Sequence, residues 1–412
     1  MAEQDPSRQV IPVNRHIVGP GRPKLRAVRP RKIGDYPGVP RAYLDVAQKL
    51  SSPLLMGPPL CDELLAFVQH LFTEEEAGAV RHLHPFRGRT AAQVAQAEHR
   101  PPEQVEPLLR RLAVELHAIT GSGPDGDRRY RLMPIMPGIF EMVLFGEQPD
   151  ALSPWHRRFA ELFEALYQTG YFLDYPGQLQ GLVRYVPVGK TIESHPMALP
   201  SDRLEVVLDQ FKVFAVGQCQ CRMTKQVVGK GCGKPTGNCA VFGDWATGAI
   251  RGGKAREVTK KEMLALKREA EAHGMVNWMM NVEATGGQNS CSCCGCCCHA
   301  MTAISEFSAP SFFAPPHFLP AFDLARCTSC GQCARKCPMK AITVDTRAKT
   351  HKHNAARCIG CGLCVLACEK SRAIAMEEVP DYKLPYKSWF RALLHTAPPT
   401  IRASLHAWRG RG

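Results

Sequence analysis

The chain has 412 residues, 45% of them hydrophobic, and 52 Lys and Arg against 38 Asp and Glu give a formal net charge of +14. That length allows roughly two to four packed domains. No run nears the roughly 18 apolar residues of a membrane helix and no charged-then-apolar leader opens the chain, so a soluble cytoplasmic protein is expected.

Cysteine sets the chemistry. There are 19 cysteines, and all but Cys61 lie between Cys219 and Cys368. Clustering of this kind speaks of metal, and metal–thiolate chemistry needs a reducing compartment where disulfides do not persist. The basic charge suits acidic redox partners, an anionic membrane surface or nucleic acid, without choosing among them.

In chain order, residues 1–55 read as a basic Pro- and Gly-rich arm. Arg15 to Lys32 carries seven Lys or Arg and no acid, which is either a solvated arm or a docking segment for an acidic surface. The segment Val10–Ile17 is echoed by Tyr185–Ile192. Both hold a residue before proline that favours extended geometry, so the two are candidates to pair.

Residues 56–148 follow a winged-helix order. Leu64, Leu65, Val68, Leu71 and Phe72 predict a helical stretch over 62–83, interrupted near Thr73, which with Glu76 makes a capping box. Thr90 caps a short second helix. Pro101 and Pro102 open a third that is expected to reach about Ile119, and a turn over 121–126 leads into a strand at 128–132. A DNA-reading helix should present neutral or basic residues near its start. Here Glu103 and Glu106 stand there, followed by Pro107. Arg110, Arg111, Arg128 and Arg129 leave DNA open as a partner, beside a packing or protein-docking role.

Residues 149–305 form a Cys-rich α/β middle domain. Trp155, Phe159, Leu162, Phe163 and Leu166 share one face of a helix. A helix at 202–210 and a strand at 213–216 lead to Cys219-Gln-Cys221-Arg222. Cys232 and Cys239 sit in Gly-rich loops, a helix over about 259–273 follows, and Cys291, Cys293, Cys294, Cys296, Cys297 and Cys298 close the field.

The plainest assignment is a further 4Fe–4S cluster on Cys219, Cys221, Cys232 and Cys239, or on a mixture of the two patches. Ten thiolates would serve two clusters, and zinc competes because four thiolates suit its tetrahedron. Side chains of neighbouring residues diverge, so adjacent cysteines are not expected to meet at one metal. Arg222 and Lys225 are expected beside the thiolates, where they would raise a reduction potential, with Trp245 and Trp278 as shields from water. The loop from Gly248 to Ala255 lacks the hydroxyl of a phosphate-binding loop. Cys293-Cys294-Gly295 is similar to a heterodisulfide reductase signature whose upstream partner is missing. No catalytic residue is assigned, and an electron carrier or electron-transfer subunit is favoured over a stand-alone enzyme.

Residues 306–380 hold two C-x2-C-x2-C-x3-C runs, Cys327, Cys330, Cys333, Cys337 and Cys358, Cys361, Cys364, Cys368, the ferredoxin spacing for two 4Fe–4S clusters. Gly331 and Gly362 relieve the backbone where it turns close to iron. In two-cluster ferredoxins the fourth cysteine of each run ligates the other cluster. One cluster therefore takes Cys327, Cys330, Cys333 and Cys368, and the other Cys358, Cys361, Cys364 and Cys337. Zinc stops at four ligands per site and does not explain a doubled run of four. Pro338 follows Cys337, but Glu369 follows Cys368. Residues 381–412 form a basic amphipathic tail in which Tyr386, Trp389, Phe390, Leu393 and Leu394 make an apolar stripe, suited to a membrane interface, a partner, or the protein's own body.

With these residues in hand, the chain resembles a family of bacterial 4Fe–4S-binding proteins. They are built from a winged-helix-like N-terminal region, a Cys-rich middle domain and a two-cluster ferredoxin domain. The matching marks are Pro187-Val188, the Cys219-Gln-Cys221-Arg222 box, Cys232, Cys239, the box from Cys291 to Cys298, and the ferredoxin runs. Ser292 stands where the family pattern usually shows Asn. The resemblance implies an α+β multidomain chain ending in a (βαβ)2 bicluster domain, and supplies cofactors but no substrate. The expected function is electron transfer between the two ferredoxin clusters and the middle domain, with an iron–sulfur-sensing DNA-binding regulator as the alternative.

Overall fold

The structure is a computed structural model that describes residues 16–124, 126–175, 181–283, 286–309 and 311–409. It forms two compact units, one of Arg26–Tyr175, Met223–Gly231 and the chain from Ile401, the other of the segment up to Leu25, Pro176–Arg222 and Cys232–Thr400. Among the described residues no helix is long and apolar enough to cross a membrane.

The first unit is mostly helical. Asp62–Leu71 and Glu74–Val80 are separate helices. Thr73 sets the break: its hydroxyl accepts the Glu76 N–H at 3.2 Å, and the Glu76 carboxylate accepts the Thr73 N–H at 2.9 Å. Thr90 and Gln93 repeat the device for Ala91–Glu98. Helix Pro102–Arg110 runs on into a π-type turn, Arg111–Glu115, and stops there rather than near Ile119. Pro107 lacks the N–H that would hold the preceding turn, and His117 adopts a left-handed conformation (φ 53°) that a helix cannot continue through. Ile119 instead opens strand Ile119–Ser122, antiparallel to Arg129–Leu132, and Arg89 bridges Tyr130.

The core of this unit is aromatic, with Phe140 stacked on Phe163 and Phe67 packed on Phe159. Lys225, expected beside thiolates, forms an ion pair here with Glu164, both side chains only 6% exposed. A carboxylate compensates its buried charge at close range, so its partner here is Glu164.

The second unit is organised by an antiparallel sheet of β1 (Val183–Val186), β2 (Phe214–Gly217), β3 (Cys239–Gly243), β4 (Arg256–Val258), β5 (Val276–Met280) and β6 (Gly287–Cys293), in the order β1-β5-β6-β3-β2-β4. Side chains alternate across it. Val216, Phe214, Phe242 and Met279 face one way, in a core with Met263 of helix Lys260–Ala272. Tyr185, Val276 and Cys293 face the other way, in a core with Met339, Ile359, Cys361 and Leu363 from later in the chain.

That later segment runs strand, helix, strand twice over: β7 (Phe318–Phe322), Gln332–Lys336, β8 (Ile342–Asp345), then β9 (Thr350–His353), Leu363–Leu366 and β10 (Ile374–Glu378). β7 pairs antiparallel with β10, and β8 with β9. Gly331 (φ 73°) and Gly362 (φ 80°) start the two helices from left-handed conformations that suit glycine.

Ile17–Val18 adds to the edge of β8, and β1 pairs with β5. The described end of the Val10–Ile17 echo thus pairs elsewhere, and residues 10–15 lie outside the described residues. At Gly295 the cysteine box meets the segment carrying Cys337: a Cβ there would fall 2.4 Å from the Pro338 carbonyl oxygen.

Candidate metal centres

The eight cysteines of the two runs fall on the loops and helix starts between these strands. Cys330 is exposed, Cys333, Cys361 and Cys364 are buried, and the other four are half-buried. Backbone and side-chain donors reach the sulfurs: Ser329 N–H to Cys327 Sγ at 3.4 Å, and Ala341 N–H to Cys337 Sγ at 3.2 Å. Ser371 Oγ lies 3.0 Å from Cys368 Sγ, and His351 Nε2 lies 3.9 Å from Cys333 Sγ. Bonds of this kind stabilise sulfur's negative charge and so tune a cluster's potential.

Burial pushes the Cys333 thiol up to about 11 and Cys358 up to about 12, and raises Cys361, Cys364 and Cys337 as well. Ligation must therefore drive protons off these thiols. Residues 319–369 match the 4Fe-4S dicluster domain. No curated protein and no solved structure matches the chain. The dicluster domain spans both cysteine runs, Cys327 to Cys368, and its donor set of thiolates with N–H···S support fits iron–sulfur clusters.

The ten cysteines from Cys219 to Cys298 sort into two groups, and not along the two sequence patches. Cys219, Cys221, Cys232 and Cys239 do not meet at one point. Cys232 instead joins Cys294, Cys296 and Cys297, whose sulfurs all lie within 4.8 Å of one another. Adjacent Cys296 and Cys297 have their sulfurs 3.8 Å apart. This overturns the expectation that neighbours diverge: residues 295–297 form a turn, not a strand, so successive side chains point to one side.

The remaining six form a nest. Cys239 lies opposite Cys291 across the β3–β6 pair, sulfurs 3.6 Å apart. Cys221 contacts both Cys219 and Cys298, and Cys293 contacts Cys291 and Cys298. Sulfur–sulfur hydrogen bonds favour one thiolate over its neighbour in each set. They pull Cys298 down to about 5, lower Cys291 and Cys294, and raise Cys297, while burial first and then bonds to Cys291 and Cys298 raise Cys293. Such thiolates are ready ligands for a soft metal.

Two buried cations attend the nest. Arg222 donates to the Ser292 carbonyl at 2.7 Å and to Asn238 Oδ1. Burial opposes its charge, but Cys219, Cys294 and Cys293 raise its pKa above the ordinary arginine value. The second is Lys267, which a sequence reading passes over as one lysine among several on a polar helix. Its ammonium lies behind the sheet, 2.6 Å from the Ser290 carbonyl and 3.2 Å from Ser292 Oγ. Burial draws it down to about 8, while Cys291, Cys239 and Cys293 resist the fall. Trp278, half-buried in β5, packs against the core that holds Cys293 and Cys298. Trp245 is 42% exposed and lies against Trp389. The dicluster domain and the cysteine groups together support an iron–sulfur electron-transfer role.

Proposed function

We propose that the protein carries electrons between the two clusters of the dicluster domain and a further metal centre in the Cys-rich sheet domain, as a carrier or a subunit of an oxidoreductase system. One cluster would use Cys327, Cys330, Cys333 and Cys368, the other Cys337, Cys358, Cys361 and Cys364. The further centre would use Cys232, Cys294, Cys296 and Cys297. When bound, the clusters supply one-electron chemistry. The residues hold them, donate N–H···S bonds and exclude water. The observation that carries this reading is the backbone contact of Gly295 with Pro338, which sets the cysteine box directly against the residue following Cys337. The basic surface fits an acidic redox partner.

Iron and sulfide quantitation with EPR on anaerobically purified chain tests it. More than about eight irons per chain is expected, and a Cys294→Ser, Cys296→Ser variant should lose the excess while keeping the dicluster signals. Iron confined to eight, untouched by that variant, rules the further centre out.

The helical unit supports a second reading, a winged helix that reads DNA under iron–sulfur control. Its order of helices and the Arg89–Tyr130 bridge, which adds a third strand position to the hairpin, favour the winged-helix assignment. Exposed Arg110 and Arg129 favour a nucleic-acid surface, but exposed Glu103 stands at the start of helix Pro102–Arg110. Glu106 on that helix accepts from the Tyr130 hydroxyl at 2.7 Å, which suits packing or protein docking better. Salt-dependent, sequence-selective retention of DNA by the purified chain would reverse that preference.

A further inference from the structure

We propose that Cys219, Cys221, Cys239, Cys291, Cys293 and Cys298 form a metal–thiolate centre of their own, anionic and balanced by Arg222 and Lys267. The proposal rests on the iron–sulfur reading above. Arg222 is 3% exposed and Lys267 1%. Neither makes an ion pair with a carboxylate among the described residues. Glu271, one turn along from Lys267, accepts from Asn277 at 3.0 Å, and burial raises its pKa while Asn277 and Lys267 oppose the rise.

Two buried cations without a counter-ion are costly. Four thiolates on a doubly positive iron–sulfur core, whose ligands stand further apart than those of a single ion, carry a net two negative charges and match them. On binding, the four ligating thiols release their protons to solvent. A separate observation points the same way. The Tyr185 hydroxyl is buried without a hydrogen-bond partner among the described residues, and Tyr185 shares its core with Cys293 and Cys298. A bound centre's sulfur would accept from it.

The test is total iron, zinc and sulfide per chain for the full holo-protein, wild type against Cys291→Ala, Cys293→Ala. The variant should lose one centre's metal and keep both the dicluster EPR signals and the metal of the Cys232 group. Lys267→Met, with thermal unfolding as a fold check, should release metal to a chelator at least several-fold faster. Unchanged metal in the cysteine variant, or unchanged release in Lys267→Met, overturns the proposal. Absence of iron from the dicluster domain would instead overturn the reading on which it rests.

A second inference comes from helix Trp389–Arg409. Its buried residues are small: Ala392, Thr396, Ala403, Ser404 and Ala407. Its large apolar residues, Phe390, Leu393, Leu394, Ile401, Leu405 and Trp408, are 49–70% exposed. A helix packed for its own body does the reverse. After Pro398 and Pro399, at about 100° per residue, Ile401, Leu405 and Trp408 fall in one sector, and Arg402 and Arg409 in the next. No Asp or Glu follows Asp381.

We infer that this face lies on an anionic lipid surface, with the apolar sector at the acyl boundary and the arginines among the headgroups. Co-sedimentation of the full chain with phosphatidylcholine vesicles, with and without phosphatidylserine, tests this. Binding should require the anionic lipid and fall with salt, and Arg402→Glu, Arg409→Glu should weaken it by about tenfold or more. Two results overturn it: no binding to anionic vesicles, or a self-associated chain that Ile401→Ser, Leu405→Ser converts to monomer, which would assign the face to a second copy.

Discussion

Gly295 and Gly248 invite the same substitution with opposite consequences. A Cβ on Gly295 would meet only backbone, 2.4 Å from the Pro338 oxygen and 2.7 Å from its Cα, so no side chain can swing aside. The two segments must part by about 1 Å to restore ordinary contact, and overpacking of this kind costs about 1–3 kcal/mol. For a unit of this size that lowers the unfolding midpoint by about 2–12 °C. Gly248 lies exposed within helix Asp244–Arg251, and a Cβ there meets nothing within 4 Å. Alanine should stabilise it by about 0.5–1 kcal/mol, a rise of about 1–4 °C.

Anaerobic thermal unfolding of the holo-protein reads both, and EPR of the reduced Gly295→Ala variant should show a changed signal from the cluster that uses Cys337. If Gly295→Ala unfolds like the wild type, the cysteine box does not bear on the dicluster domain and the electron path proposed through that contact fails.

Three further outcomes are expected. Glu164→Gln leaves Lys225 buried and unpaired and should cost about 3–5 kcal/mol in denaturant unfolding, whereas Glu164→Leu with Lys225→Met should cost far less; equal losses would remove the pair's importance. Thr73→Ala, which deletes one half of the capping box, should cost about 1 kcal/mol, measured the same way, and a neutral result would place the helix break elsewhere. Burial raises the Cys61 thiol from 9.0 to about 12. Folding therefore favours its protonated form, a contribution complete below about pH 9 and lost as pH rises through about 12. Mass spectrometry should find Cys61 unalkylated in the native chain at pH 8 and labelled only on unfolding; labelling at a free-thiol rate would contradict its burial.

What could be read from the sequence was what is local in it. The two runs from Cys327 to Cys368 carry their chemistry in spacing alone, and the dicluster match falls on them. The box at Thr73–Glu76 and the cap at Thr90 are devices within four residues and stand as the residues suggest. The middle cysteines are grouped by sheet register instead. Cys239 meets Cys291 because β3 pairs with β6, and Cys232 leaves its sequence neighbours for Cys294. Neither pairing leaves a trace in residue order. Lys225 and Lys267 look alike in the sequence, and only the position of Glu164 separates a structural ion pair from a cation held behind the thiols.

Cys293 and Cys298 share one buried core with Cys337, Cys358 and Cys361. Because a packed core transmits strain, a change at one cysteine field should be felt at the other. Emptying or oxidising the sheet-domain centre should shift the reduction potential of the cluster that uses Cys337 while that cluster keeps its metal.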